Sequence, residues 1–271
     1  MIKKLAVSGI LLTIVIAAVS AGKPVKSKEP APTESLKLVS HVYPPFSYKS
    51  NGVIDGALVK VMSAICSEAK ISCTTEMHSF QESMQLVATG EADVIFTLTV
   101  NEDPEERNEK ILYASTPIVR SSYAFFVPYD SRWTWDTGSD EISDFTIYSF
   151  GPSATSLVAQ ETKPKSVVLS SSNIMAFQNL IMSPKGTKVA VVVNKDAGDF
   201  MLSQGSIRGP KYAGSIKDAF IGFGFSRKSK NMHLYRPMLN ATNKLLADKT
   251  ISKILTANKP PLLPAYGTAT K

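Results

Sequence analysis

Histidine and cysteine are scarce in this chain, three of one and two of the other among 271 residues. His41, His78 and His233 stand far apart, and six residues separate Cys66 from Cys73, so the short-spaced ligand pairs of a zinc site are missing. No Gly-x-Ser-x-Gly segment occurs, which removes the nucleophile elbow of an α/β-hydrolase. Charge of one sign never gathers: 30 Lys and Arg against 23 Asp and Glu give a net +7, but the basic residues are scattered and runs such as Arg227-Lys228 are short. That pattern reads as a solvated surface and excludes a nucleic-acid-binding stripe. No cofactor motif is found, and none is expected. Beyond the first 21 residues no apolar stretch is long enough to span a bilayer.

The start of the chain has its own logic. Lys3 and Lys4 precede an apolar run from Leu5 to Val19, and Val19-Ser20-Ala21 puts small residues where a signal peptidase reads. Residues 1–21 are expected to be a secretory signal cleaved after Ala21, the alternative being an uncleaved anchor. No cysteine follows the run, so a lipid anchor is not expected. Removal of these residues takes away two lysines and no acid, leaving 28 basic against 23 acidic side chains, a net +5. Residues 22–35 hold three prolines and one larger apolar side chain, Val25, and read as a flexible leader. In an oxidising compartment Cys66 and Cys73 favour a disulfide from a helix end to the next strand; the alternative is two buried thiols.

Periodicity then organises the rest. Leu36 to Val42 reads as a strand, broken by Tyr43-Pro44-Pro45-Phe46. Leu58, Val61, Met62, Ile65 and Ala69 repeat at helical spacing, and Ile71 to Met77 alternates as a strand. Phe80, Met84, Val87 and Ala88 mark a helix stopped by Gly90, and Val94 to Leu98 a buried strand. The same βαβαβ order recurs. Strands at Phe145–Phe150, Val167–Leu169 and Val189–Val193 alternate with a helix toward Glu161 and one marked by Ile174, Phe177, Leu180 and Ile181. Two such units predict two mostly parallel sheets. Ser121–Val127 and Ala219–Ser226 are extended pieces suited to cross between them, Leu234 to Leu255 patterns two helices, and the proline-rich end reads as an extended tail.

At this point the chain resembles the extracellular solute-binding proteins of family 3, the polar amino-acid binders of ABC importers. The resemblance covers about residues 36–257. It rests on Tyr43-Pro44-Pro45-Phe46, Gly56, Gly90-Glu91-Ala92-Asp93, Thr97 and Thr99, Glu106-Arg107 with Glu109-Lys110, Thr116-Pro117, and Gly222-Phe223-Gly224-Phe225-Ser226. The Cys66 to Cys73 spacing is similar to the disulfide of the lysine/arginine/ornithine and histidine binders. The resemblance implies an α/β, two-lobed periplasmic-binding-protein type II fold with two crossing hinge strands. Lobe 1 is expected at 36–120 and 226–257, lobe 2 at 121–225, and the tail at 258–271. It further implies a periplasmic monomer that closes on a small-molecule ligand, an amino acid or small carboxylate, and delivers it to a membrane permease.

Candidate ligand-binding residues follow. Asp103-Pro104-Glu105-Glu106 reads as a helix start, which places Arg107 in a first turn, where its guanidinium can grip a carboxylate through two parallel bonds. The alternative is an exposed arginine paired with a neighbouring acid. Arg107 also lies further from Thr99 than the family pattern has it. Thr97, Leu98 and Thr99 end the third strand and offer hydroxyls and backbone groups, or else plain cross-strand packing. Tyr43 and Phe46 wall the cleft or belong to the core. Ser153 offers a hydroxyl and N–H at a helix start, or serves as an N-cap. The acid that family members use for an α-ammonium falls near Asn194-Lys195-Asp196; direct alignment gives Lys195, and a one-residue shift recovers Asp196. Ser40 and Leu58 stand where family members carry acids, so a lysine- or arginine-like ligand is not expected. Two other readings use the same fold: a ligand sensor for a membrane signalling partner, and an enzyme resembling the cyclohexadienyl dehydratases, which needs a carboxylic acid in the cleft. The expectation is a binder without catalysis.

Overall fold

The structure is a computed structural model that describes residues 34–99, 109–136, 140–151, 154–205, 207–258 and 263–264. The signal and leader segments lie outside the described residues.

The first half begins with β1 (Ser35–His41), a hairpin of β2 (Tyr48–Ser50) and β3 (Val53–Asp55), and α1 (Ala57–Ala69). It continues through β4 (Ser72–His78), α2 (Phe80–Thr89), β5 (Val94–Thr99) and β6 (Ile111–Tyr113). Leu58, Val61, Met62 and Ile65 of α1 are buried, as their helical spacing predicts. Ser79 caps α2 by accepting from the Glu82 N–H, and Gly90 ends it in the left-handed conformation, φ 88°. Cys66 and Cys73 are bonded, tying the end of α1 to β4.

The chain then runs through the long β7 (Val119–Pro128) into the second half: β8 (Thr146–Phe150), α3 (Ala154–Glu161), β9 (Ser166–Ser170), α4 (Asn173–Met182), β10 (Val189–Asn194) and α5 (Lys195–Ser203). It returns along β11 (Pro210–Ser226) and closes with α6 (Tyr235–Ala247), α7 (Thr250–Thr256) and the short β12 (Leu263–Pro264), which pairs with β7.

The expected pair of separate sheets is corrected here. Hydrogen bonding runs unbroken through one sheet in the order β4-β1-β5-β11-β7-β10-β8-β9. The reason is the length of β7 and β11, which pair antiparallel from Pro210 opposite Pro128 to Ile221 opposite Val119. Each half contributes its parallel strands to one side of that central ribbon, so the two crossing strands also weld the sheet. The cores remain distinct. Leu38, Phe46, Leu58, Phe96 and Phe223 pack the first half. Phe126, Phe177 and Val191 fill one face of the second half, and Phe125, Phe145 and Val192 the other, as period-two alternation requires. In α4 the inner face is Ala176, Phe177 and Leu180, whereas Ile174 and Ile181 are 46% and 50% exposed. All four apolar residues of the sequence pattern mark the helix, and two of them face outward. Among the described residues, no helix is long and apolar enough to cross a membrane.

Candidate functional site

The site is assembled where β1 ends. The turn after it is held by the Tyr43 N–H donating to the Ser47 carbonyl at 2.7 Å and the Phe46 N–H donating to the Tyr43 carbonyl at 2.9 Å. The first N–H groups of α1 fasten to the same turn: Ala57 donates to the Pro45 carbonyl and Leu58 to the Phe46 carbonyl, both at 3.0 Å. Gly56 permits this approach, since a side chain there would collide with the Phe46 carbonyl oxygen. Phe46 is fully buried in the first core and stands 5.2 Å from the Tyr43 ring. That burial fits the core role, one of the two readings its sequence position leaves open. Tyr43 is different: it is partly buried and packs against the cores of both halves.

Next to this turn lies a buried polar cluster. Thr97 interrupts the β5–β11 register, since Leu98 faces Gly222 and Phe96 faces Phe223 with no partner left for the residue between. Its φ of 68° lies in the left-handed region, rare for a β-branched residue and found where structure is held for a purpose. The Thr97 hydroxyl contacts Ser40 Oγ at 3.1 Å, His41 Nδ1 at 3.2 Å and the Phe96 carbonyl. Ser40 Oγ in turn lies 2.8 Å from Ser47 Oγ, and the Ser83 hydroxyl donates to the Ser40 carbonyl at 3.1 Å. His41 is 8% exposed, stacks on Tyr43 and meets Phe80 edge-on. Burial lowers its pKa to about 4, so it is neutral at physiological pH.

A second polar group gathers where α5 begins, tied to β7 through Ser121. Asn194 caps that helix by accepting from the N–H groups of Asp196 and Ala197, and it also accepts from the Ser121 hydroxyl at 3.0 Å. Of the two residues that alignment left open, Lys195 is tied along the helix to Asp199 and sits over the Tyr212 ring. Asp196 bears on Tyr43 through its charge: desolvation, then Tyr123, then Asp196 raise the Tyr43 phenol well above its ordinary pKa. Desolvation also raises the Asp196 carboxyl, opposed by the Ser121 hydroxyl and Lys195.

A cavity of about 390 Å³ is lined by His41, Tyr43, His78 and Phe80 from the first half and by Gly151, Ser172, Asn173 and Met201 from the second; Thr97 and Asp196 do not line it. Its size and mixed lining suit a metabolite-sized ligand. A larger cavity of about 550 Å³ lies elsewhere in the second half, among Trp133, Phe145 and Leu180, away from the aromatic turn.

Of the candidate residues Tyr43 lines this cavity, Thr97 touches its lining residue His41, and Asp196 reaches Tyr43 through its charge alone. Leu98 and Thr99 contribute strand backbone, opposite Gly222 and Ile221. Arg107 and Ser153 lie outside the described residues. The sequence reading missed His41, Ser47, Ser83, Ser121 and Asn194 as members of the polar surroundings. Only Ser40 gave a signal, a small polar residue on the face of β1 that also carries Leu36 and Leu38.

Comparison with known proteins places this arrangement. A histidine kinase sensor domain with similarity to periplasmic binding proteins superposes with a TM-score of 0.72 at 16% identity, covering 86% of this chain and 98% of that one. The arginine-, lysine-, histidine-binding protein ArtJ from the thermophilic bacterium Geobacillus stearothermophilus gives 0.69 at 15% identity, covering 83% and 94%. An ancestral amino acid-binding protein, AncCDT-1, a precursor of cyclohexadienyl dehydratase, gives 0.68 at 18%, covering 82% and 94%. At such identities the likeness is one of fold: an α/β, two-lobed periplasmic-binding-protein architecture. A search of curated proteins finds no match. Residues 37–258 match the family model of the bacterial extracellular solute-binding proteins, family 3. The chain belongs to that family.

Proposed function

We propose that this family 3 protein captures a small polar ligand, an amino acid or related carboxylate, in the cleft between its lobes and hands it to the permease of an ABC importer, without catalysis. The observation that carries the reading is Tyr43, packed against the cores of both halves and lining the 390 Å³ cavity. In this reading Tyr43 stacks on the ligand, the end of β5 at Thr97, Leu98 and Thr99 offers it hydrogen bonds, and Asp196 takes an α-ammonium. Arg107 and Ser153 are assigned to the carboxylate. The lobes divide as 36–120 with 226–257, and 121–225, hinged on β7 and β11. The protein works as a periplasmic monomer after cleavage behind Ala21.

The experiment is a thermal-shift screen against amino acids and small carboxylates. A ligand that binds only the folded state adds about 2.7 kcal/mol at a hundredfold excess over Kd, enough for a clear rise in Tm. No hit across the screen would sink the reading. Tight arginine binding by calorimetry would overturn its narrower part, that the ligand is not a cationic amino acid. The sensor-domain likeness favours a second reading, the same trap reporting to a membrane signalling partner. A permease and ATPase encoded next to this gene would decide for uptake. Turnover of prephenate or arogenate would instead make the chain an enzyme.

A further inference from the structure

The second half carries a further cavity, of about 550 Å³, which shares no lining residue with the 390 Å³ cavity. The two stand at opposite ends of the same elements. Phe145, just ahead of β8, lines the larger one, and Phe150, the last residue of β8, lines the smaller, five strand residues or about 17 Å away. Likewise α4 gives Ile174 to the smaller cavity and Ile181 to the larger.

The lining of the larger cavity divides by chemistry. Phe145, Leu180 and Val189 are buried, and the half-buried Trp133 packs on Phe145 with ring centres 4.5 Å apart, so this part is apolar and largely aromatic. The charged lining residues are all exposed: Arg132, Lys185, Lys188 and Arg208 against Asp130 and Glu141. Lys188 is engaged by Asp144 at 2.7 Å. Arg132, Lys185 and Arg208 form no ion pair with a described residue. Three open cations against two acids leave one positive charge over at the rim. An apolar inner wall under a rim of that sign matches a ligand with an apolar body and a single acid group.

We propose that this cavity is a second ligand site, one that takes a small aromatic monoanion, its ring body against Trp133, Phe145 and Leu180 and its acid group among Arg132, Lys185 and Arg208. The volume lies inside the range of small-molecule sites, about 300–1,000 Å³. The ring body supplies most of the affinity, because exposed cations each contribute little and are screened by salt. The rim sets the sign of charge that is accepted. None of this depends on the capture reading, whose cavity lies at the other end of β8 and α4.

Both tryptophans of the chain report on the site, since Trp133 lines the cavity and Trp135 stands 6.3 Å from the Trp133 ring. The purified protein is titrated with 8-anilinonaphthalene-1-sulfonate, an aromatic monoanion, and binding is read as energy transfer from tryptophan to the dye. Saturation at one dye per chain is expected, and the absence of saturable transfer overturns the proposal. 2-Naphthoate is expected to displace the dye at least about fivefold better than the uncharged 2-naphthamide, and equal displacement overturns the choice of an anion. The location is tested on α4, where Ile181 and Ile174 are 50% and 46% exposed, so that a polar side chain at either leaves the fold intact. Ile181→Glu puts a negative charge on the lining and is expected to weaken the dye at least about tenfold, whereas Ile174→Glu keeps its Kd within about twofold. Equal effects, or the reverse order, place the dye elsewhere and overturn the assignment. Lys185→Gln combined with Arg208→Gln, both on exposed residues, is expected to weaken the dye about fivefold and to flatten its salt dependence; unchanged binding removes the rim from the proposal and overturns it. An amino-acid screen without hits sinks the capture reading and leaves these outcomes standing.

Discussion

Replacement of His41 by Asn makes a quantitative claim about acid stability. Burial lowers the His41 pKa from 6.5 to about 4. Above pH 6.5 the ring is neutral in the folded and unfolded chains alike, and its contribution to stability is fully present. As pH falls below 6.5 the unfolded chain takes up a proton that the folded chain refuses until about pH 4, so stability is lost across that window. At 1.36 kcal/mol per pH unit, the loss totals about 3 kcal/mol, most of which has gone by pH 4.5. In His41→Asn a polar amide stands near the place of Nδ1, within reach of Thr97, but nothing titrates. The assay is urea unfolding at pH 7.5 and pH 4.5 for both proteins. The wild type is expected to lose about 2–3 kcal/mol more than the variant between the two pH values. Carboxylates titrate in both proteins and cancel in the difference, including Glu76 and Glu82, which bridge His78 on the neighbouring strand. Equal losses would refute the claim that His41 is held neutral by burial.

Four further outcomes are expected. Reduction of the Cys66–Cys73 bond, or its replacement by two serines, opens a loop of sequence separation 7 and lowers unfolding free energy by about 2.5 kcal/mol on the chain-entropy model, read by urea denaturation. Gly56→Ala pushes a Cβ into the Phe46 carbonyl oxygen at φ 133°, where backbone cannot yield, and costs about 2–4 kcal/mol by the same assay. Gly198→Ala gains about 1 kcal/mol of helix propensity in α5 but drives into the fully buried Phe126 ring, so a net loss of about 1–2 kcal/mol is expected in thermal unfolding. Asp196→Asn leaves the ligand-free Tm unchanged or slightly raised, because a desolvated carboxyl becomes a neutral amide, while the ligand found in the screen loses at least about tenfold in affinity by calorimetry.

The strands β1, β5, β8 and β10 are legible in the sequence because Val, Ile and Leu cluster there between turn residues, and the helices α1 and α2 because their apolar spacing is regular. What escapes has a physical cause in each case. The first part of β11, from Pro210 to Lys217, carries Pro, Gly, Ser and Lys and reads as loop; only pairing with β7, through register shifts near Gly214 and Ser215, makes it strand. The helix α5 is short and opens on Lys195, Asp196, Gly198 and Asp199, so it is polar on average; it is fixed by the Asn194 cap and by Gly198 closing on Phe126. Of the candidate site, Tyr43 is legible from its turn, and Asp196 becomes distinguishable from Lys195 only once α5 sets their directions. His41 has no sequence signature, since its surroundings are built by Ser40, Ser47, Thr97 and Phe80 from four separate segments.

The chemistry of those segments bears on what charge the proposed cleft tolerates. Ser40 occupies the strand position where the family resemblance expects an acid, and its neighbours are hydroxyls and a neutral imidazole, so this wall recognises by hydrogen bonds and brings no fixed charge. Glu76 and Glu82 stand close by, but they are held by Lys37 and His78. That leaves Asp196, whose carboxyl is already partly desolvated and therefore raised. One fixed negative charge suits one ammonium. A second cation on the ligand side chain would enter a desolvated space with no partner among the described residues, and an unpaired buried charge costs several kcal/mol. The neutral wall and the single acid thus favour a ligand with one positive group and a polar, uncharged or anionic remainder, which is the same restriction the missing acids at Ser40 and Leu58 impose on the sequence.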